Sequence, residues 1–589
     1  MSSTQRVRSL IEQAIEAVKK EIEAVRERPS RDRLENGKRK QQLLNTGEST
    51  PASRDYVFET NQSSIQYAES VRAQWNGEEL KAEPVAFDEE KITLRFGQDM
   101  GDKLPELEVE WENDFVLRRM LDRLMELEDG EEESYERIAS LFWPDEYMQQ
   151  QSGDSDEVEI ENPDSIPLNE AQIDSLSKAM NVPILMVWGP PGTGKTASLG
   201  YIMAHYLKHD KSVLFASNTN RAVDVGLLSA IDGLHQMGWS SMEAQTIRFG
   251  EAALDSKALE QRLFETHIEQ KKAARDKGKG SLWQTFSRYN ELRRQKDEYD
   301  IAEQALPKRL ELELQLLEQK IEDAGGERQV EEKLEREEEL SSVNEHSELA
   351  RFNLVATTLA RICTSELLND LEYDAVVIDE ASMAMLPYLM VLAAKSRKHI
   401  IIVGDPMQLP PIAVTNDKEA RSFLEQDIFA YASGARSSSD LFAWHDAHPE
   451  YTSFFNIQYR LRNDLAQVIS SVFYEGRLKS ADRAQQSGNR LPGETQQARK
   501  SIYLIDSSDR SPEITQEKGG GRFQPYNQVH TEMMAHAVEQ IMTRKRVPPE
   551  EIGVIVPFRY SVYQTKKTLA RQGLRSVEVG TIHTFQGRE

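Results

Sequence analysis

The sequence predicts an α/β protein, and three observations carry that prediction. Leu185-Met-Val-Trp188 is a continuous apolar run that passes directly into Gly189-Pro-Pro-Gly-Thr-Gly-Lys-Thr196 and then into a helical stretch, the strand–loop–helix order of a phosphate-binding loop. From Asn169 to about Gly250 strand and helix signals alternate, as they do where crossover helices cover a parallel sheet. Strand signals resume at Phe352 and include two further buried-strand runs, Asp374-Ala-Val-Val-Ile-Asp379 and His399-Ile-Ile-Ile-Val-Gly404. At 589 residues the chain is long enough for several domains, since one core rarely serves more than about 250–300 residues.

In chain order, residues 1 to about 45 read as a charged helix, with Leu10, Ile11, Ile15 and Val18 at helical spacing. From Arg54 to about Glu112 short alternating runs such as Lys91-Ile-Thr-Leu-Arg-Phe96 and Leu107-Glu-Val-Glu-Trp111 predict strands of a small sheet or barrel with one wet face. Leu117, Met120, Leu121, Leu124 and Leu127 return to helical spacing and predict a second helix lying against the first. Acidic, turn-rich stretches follow at 126–135 and 152–166; the second is the linker candidate, though acids that only solvate a loop are the favoured reading. Residues 255–350 interrupt the α/β pattern. There Leu310, Leu314, Leu317 and Ile321 repeat at 4-3-4 spacing, which predicts a helical hairpin or coiled coil broken at Gly325-Gly326. The stripe reads as hairpin core in preference to a partner site. The expected domains are 1–165, 166–436 with the insertion at about 255–350, and 437–589.

Composition narrows the class. Hydrophobic residues make up 39% and charged residues 29%, and the net charge is −27. That excludes a wholly basic nucleic-acid coat but not one basic groove. Cys363 is the only cysteine, which excludes an internal disulfide and a cysteine zinc cluster. A reducing setting is expected, cytoplasmic, or nuclear in a eukaryote. Met1-Ser-Ser-Thr-Gln-Arg has no apolar signal core, and no run of about 18 uncharged apolar residues is available to span a bilayer.

The chemistry begins at the glycine-rich loop. Gly189, Pro190, Gly192, Thr193, Gly194, Lys195 and Thr196 are the nucleotide-binding candidates. Gly192 and Gly194 let backbone N–H groups close on phosphate oxygens at a helix N-terminus. Lys195 supplies charge for the terminal phosphates, and Thr196 offers its hydroxyl to Mg²⁺. Asp379 and Glu380 end an apolar strand, where one carboxylate anchors the metal shell and the next takes a proton from water. We assign Asp379 to the metal and Glu380 to the water. Such a pair alone is usually a solvated strand end; behind a phosphate loop it reads as catalytic. The turn Asp405-Pro-Met-Gln408-Leu-Pro-Pro411 holds Gln408 at a strand end, to sense the γ-phosphate or orient the water. Absence of an Asn-Lys-x-Asp tetrad disfavours a GTPase.

With Asn456-Ile-Gln458-Tyr459-Arg460 and Glu578-Val-Gly-Thr581-Ile-His583-Thr-Phe-Gln586-Gly587-Arg-Glu589 added, the chain resembles a superfamily 1 helicase of the 5′-to-3′ branch, the group of senataxin and the nonsense-mediated-decay helicase. The motifs stand in family order over about 166–589. The resemblance implies a P-loop NTPase of two RecA-like lobes, the second incomplete, with a helical stalk and small β domain in front. It implies that Gln172, in Leu168-Asn-Glu-Ala-Gln172, contacts adenine, that Tyr459 stacks on it, and that Arg460 is a finger on the γ-phosphate. Gly587 and Glu589 would lie near the nucleotide. Asn218, Thr357 and Thr358 on the first lobe, and Pro557, Phe558, Thr581 and His583 on the second, are its nucleic-acid candidates. For Phe558 a core position is an equal reading. ATP and Mg²⁺ are the implied cofactors and single-stranded DNA or RNA the implied partner, with neither polymer preferred.

Two features depart from the family pattern. Leu461-Arg-Asn stands where Met-His-Pro is usual, and the chain stops directly after Phe-Gln-Gly-Arg-Glu589. The expectation is therefore a truncated second lobe, either a fragment or one completed by another polypeptide, that binds Mg-ATP but hydrolyses it poorly alone. An ATP-switched remodeller that does not unwind, and an inactive scaffold, are the competing expectations.

Overall fold

The computed structural model describes residues 3–43, 49–60, 65, 71–75, 78–88, 91–97, 100–101, 103–150, 158–160, 166–278, 281–301, 305–340, 343–481, 504–510, 514–519 and 522–585. Helix α1 spans Ser3–Arg26 and buries Val7, Leu10, Ile11, Ala14, Ile15, Val18 and Ile22 along one stripe. The expected continuation to about residue 45 is corrected: the helix ends at Arg26, and Ser30–Leu43 is strand β1. Pro29 supplies the reason, because a proline lacks the N–H that a helix interior needs and its ring clashes with the preceding turn.

Strands β1, β2 (Ser49–Glu59), β3 (Val71–Trp75), β4 (Glu78–Asp88), β5 (Lys91–Phe96) and β6 (Lys103–Trp111) close a barrel in the order β1-β2-β5-β4-β3-β6. Tyr56, Phe58, Val71, Ile92, Leu94, Phe96, Leu107 and Trp111 fill it. A Cβ at Gly37 would collide with the Phe58 ring, so that position must stay bare. Helix α2 (Phe115–Glu128) returns along α1, and α3 (Glu132–Phe142) and α4 (Pro144–Gln150) follow. Most of the 152–166 linker reading lies outside the described residues.

A seven-stranded, all-parallel sheet comes next, built from β7 (Ile184–Trp188), β8 (Val213–Ser217), β9 (Thr246–Arg248), β10 (Leu354–Thr358), β11 (Tyr373–Ile378), β12 (Ser396–Gly404) and β13 (Thr452–Phe454). Its order is β13-β7-β12-β11-β8-β10-β9. Every residue of β7 and β8 is buried, as expected of a sheet covered on both faces. Helices α5 (Glu170–Asn181), α6 (Lys195–Lys208) and α7 (Asn220–Gln236) supply much of that cover.

The N-terminal elements are stitched to this sheet domain. Buried Glu21 of α1 accepts the Val414 and Thr415 N–H groups at 2.7 and 2.8 Å. Buried Arg123 of α2 donates to the Cys363 carbonyl and pairs with Glu366 at 3.1 Å. Between β9 and β10 stand helices Phe264–Gly278, Ser281–Ile301, Lys308–Asp323 and Glu327–Leu340, the last three sharing a core of Leu292, Leu314, Leu317, Ile321 and Val330. Gly325 and Gly326, at φ +114° and +86°, part the last two.

Two compact units result: Met1–Pro190 with Gly194–Phe455, and Pro191–Thr193 with Asn456–Glu589. The compact units divide at Phe455/Asn456, because β13 pairs with β7 and belongs to the first sheet. In the second unit, parallel pairs Ile457–Gln458 with Lys479–Ser480 and Gly553–Ile555 with Glu578–Gly580 stand beside helices Asn463–Phe473, Gln528–Lys545 and Arg559–Arg571. Ala535, Val538, Val554, Val556, Leu569 and Val579 form its core. Among the described residues no helix is long and apolar enough to cross a membrane.

Candidate active site

The glycine-rich loop leaves the C-terminal end of β7 and enters α6, the crevice in which open α/β sheets bind ligands. Gly189 N–H donates to the Gly404 carbonyl at 2.9 Å, which ties the loop to the end of β12. Gly192 and Gly194 hold φ +74° and +78°, a region L side chains rarely adopt. A Cβ on Gly194 would also lie 2.7 Å from Gln172 Nε2. The loop therefore needs glycine for both backbone sign and space. Lys195 Nζ folds back onto the Gly189 carbonyl at 2.9 Å, spanning the loop it is expected to serve. Thr196 is half-buried, and its carbonyl accepts the Ser229 hydroxyl at 3.0 Å.

Gln172 is buried beneath this loop. Its Oε1 accepts the Asn169 N–H at 2.9 Å while Asn169 Oδ1 accepts the Gln172 N–H at 3.1 Å, a reciprocal cap that starts α5. The amide Nε2 is the part left against Gly194.

Asp379 follows β11 and is 4% exposed. Burial, reinforced by the neighbouring Glu380, pushes its carboxyl up to about 7, while Lys195 and the Glu380 N–H pull it back. A buried acid held beside a lysine and a phosphate loop suits a cation, whose charge would restore the ionised form. Glu380 takes a left-handed backbone, φ 54° and ψ 36°, uncommon for a non-glycine residue. Two bonds hold it there: its N–H donates to Asp379 Oδ1 at 2.9 Å, and its carbonyl accepts Asn218 Nδ2 at 3.0 Å. Glu380 Oε2 is buried with no hydrogen-bond partner. An orphaned carboxylate oxygen in the crevice is what a water-activating base requires.

Gln408 is held by a residue that sequence reading did not single out. Fully buried Asp405 accepts Trp188 Nε1 at 3.0 Å, Met407 N–H at 3.1 Å and Gln408 Nε2 at 2.9 Å. Its own N–H donates to Ser382 Oγ at 3.1 Å. Asp405 thus fixes Gln408 relative to the strand that feeds the loop. The available signal was a carboxylate placed directly after the apolar run of β12.

The described first-unit candidates split at the strand ends. Asn218 and Thr358 are half-buried, whereas Thr357 is completely buried. The Thr357 hydroxyl is enclosed there without a hydrogen-bond partner, next to the half-buried Thr358 at the strand end. In the second unit, buried Gln458 organises the Gln-Tyr-Arg turn. Its Oε1 accepts the Arg460 and Leu461 N–H groups at 2.9 and 2.6 Å, and Nε2 donates to the Leu461 carbonyl and Ser480 Oγ. Tyr459 and Arg460 project outward from that turn, Tyr459 being 40% exposed. Pro557 and Phe558 are exposed, which removes the core reading of Phe558. Thr581 precedes the short helix Ile582–Phe585 that carries His583. Gly587 and Glu589 lie outside the described residues.

Comparison with known proteins places this geometry. Two family models, each described as an AAA domain, match residues 167–416 and 437–589, together more than half of the chain. An uncharacterised ATP-dependent helicase of Methanocaldococcus jannaschii is 23% identical over 506 residues, covering 81% of this chain and 69% of that protein. The regulator of nonsense transcripts 1 homolog of Drosophila melanogaster is 23% identical over 436 residues, 72% of this chain and 31% of its own length. Helicase sen1 of Schizosaccharomyces pombe is 23% identical over 477 residues, again 72% of this chain and 26% of its own. The chain spans less than a third of those two eukaryotic relatives. With the two AAA-domain matches running in order over the phosphate loop, the paired acids and the Gln-Tyr-Arg turn, the chain belongs to the superfamily 1 helicases, in the group of the nonsense-transcript regulators and Sen1.

Proposed function

We propose that this chain is an ATP-driven motor that moves along single-stranded nucleic acid and separates duplex ahead of it. The observation that carries the proposal is the Asp379–Glu380 pair: one carboxylate buried near Lys195, the next held in a strained backbone with a free oxygen. Thr196 and Asp379 would hold Mg²⁺, and the ion would neutralise charge on the phosphates. Lys195 and the backbone N–H groups of the loop bind the terminal phosphates. Glu380 accepts a proton from the attacking water at Oε2, and Gln408, set by Asp405, orients that water. Tyr459 and Arg460 serve the same nucleotide by family resemblance. Asn218 and Thr358, with Pro557, Phe558, Thr581 and His583, contact the strand, through groups suited to a backbone read without sequence.

Strand displacement tests this reading on DNA and RNA duplexes carrying a 5′ or a 3′ overhang, with wild type and Lys195→Ala. The expected result is ATP-dependent displacement from the 5′ overhang that Lys195→Ala abolishes. Displacement that survives Lys195→Ala contradicts the motor. ATP hydrolysis without displacement on any substrate identifies a remodelling switch instead.

A further inference from the structure

The sheet's C-terminal edge carries a second cavity, away from the phosphate loop. Its volume is about 450 Å³, and Phe115 of α2, Asn220 of α7, Phe249, Gly250, Thr358 and Arg361 line it. That size lies within the roughly 300–1,000 Å³ range of small-ligand clefts. We propose that it is a nucleobase pocket, taking one unstacked base of the strand bound along the first unit. The proposal rests on the nucleic-acid reading above and adds a site to it.

Three features point to a base. Two planes stand on the walls: the Arg361 guanidinium, packed 5.2 Å from the centroid of the buried Phe249 ring, and the Phe115 ring. Aromatic rings and guanidinium planes are the surfaces on which unstacked bases lie. The polar groups are few and fixed. Fully buried Arg248 pairs with Asp224 at 2.8 Å and donates to Asn220 Oδ1 at 2.9 Å and to the Phe249 carbonyl at 2.7 Å. Arg361 Nε is buried without a hydrogen-bond partner, a donor in waiting. Finally, the rim is wrong for phosphate. Glu251 and Glu265 line the cavity with Arg361, whose guanidinium stands 3.8 Å from Glu265, so the rim offers no surplus positive charge to a backbone phosphate while a neutral base meets no opposing charge. Thr358, at the end of β10, stands on the wall, so a strand passing it would bring a base to the opening.

An abasic scan tests the pocket. The full chain is titrated against duplexes with a ten-nucleotide single-stranded overhang, the junction fixing the register, each overhang position made abasic in turn, in DNA and in RNA. The expected result is one position whose abasic form binds about tenfold more weakly, in line with base–aromatic stacking. Arg361→Ala should weaken the intact overhang about as much and erase that positional penalty. Arg361→Lys keeps the charge but loses the plane, and should behave like Arg361→Ala in the scan. It also serves as the informative variant should Arg361→Ala fail to fold. Intact binding with a uniform abasic profile, or a penalty that survives both variants, overturns the pocket and leaves the nucleic-acid reading standing. No binding of either polymer by wild type overturns both.

Discussion

Asn218 offers a sharp test of how the water-activating acid is held. It stands directly after β8 and donates Nδ2 to the Glu380 carbonyl at 3.0 Å, while Glu380 sits at φ 54°. A left-handed backbone costs an L-residue about 1–2 kcal/mol. A net hydrogen bond contributes about 0.5–1.5 kcal/mol, so the Asn218 bond offsets much of that strain, with Glu380 N–H to Asp379 Oδ1 supplying the remainder. Asn218→Ala removes roughly 1 kcal/mol of support and lets the Glu380 peptide relax out of position. At about 1.4 kcal/mol per tenfold, kcat for ATP should fall about five- to tenfold. KM for ATP should change less than twofold, because Asn218 makes no bond to the phosphate loop. Rates measured without nucleic acid keep any strand contact of Asn218 out of the comparison. Asn218→Asp, which keeps the size but removes the donor, should lose at least as much. An unchanged kcat in both variants would refute the claim that Asn218 positions Glu380.

Asp405→Ala leaves the buried Trp188 indole N–H and the Gln408 amide without their acceptor; it should destabilise the first unit by about 2–3 kcal/mol and lower kcat, read by denaturant melts and steady-state ATPase. Lys395 is buried with Nζ on the Leu368 and Asn369 carbonyls, and burial pulls its pKa down to about 8 from 10.5. Between those values the unfolded chain binds more protons than the native one, so the lysine's contribution to stability rises with pH. Wild type should therefore gain on Lys395→Met as pH goes from 7.5 to 10, and melting curves showing a constant gap would contradict that.

The candidate site was legible in the sequence wherever its residues are consecutive. Gly189–Thr196 and Asp379-Glu380 each fit on one strand end, so order and spacing alone reveal them. Asp405 was not legible as a clamp, because its role depends on Trp188, a neighbour brought close only by pairing of β7 with β12. The first helix was overextended because β1 is mostly charged or polar and hides its alternation, although Pro29 marked the break. The three residues Thr452–Phe454 add an edge strand to the first sheet that is too short to stand out from sequence.

The central claim is that the crevice around Lys195, Asp379 and Glu380 hydrolyses ATP in response to a single strand. Hydrolysis by the purified chain, measured with and without single-stranded DNA or RNA beside Lys195→Ala, tests it most directly. A motor predicts hydrolysis that rises when the strand is added and is lost in Lys195→Ala; hydrolysis indifferent to both the strand and the lysine would contradict it.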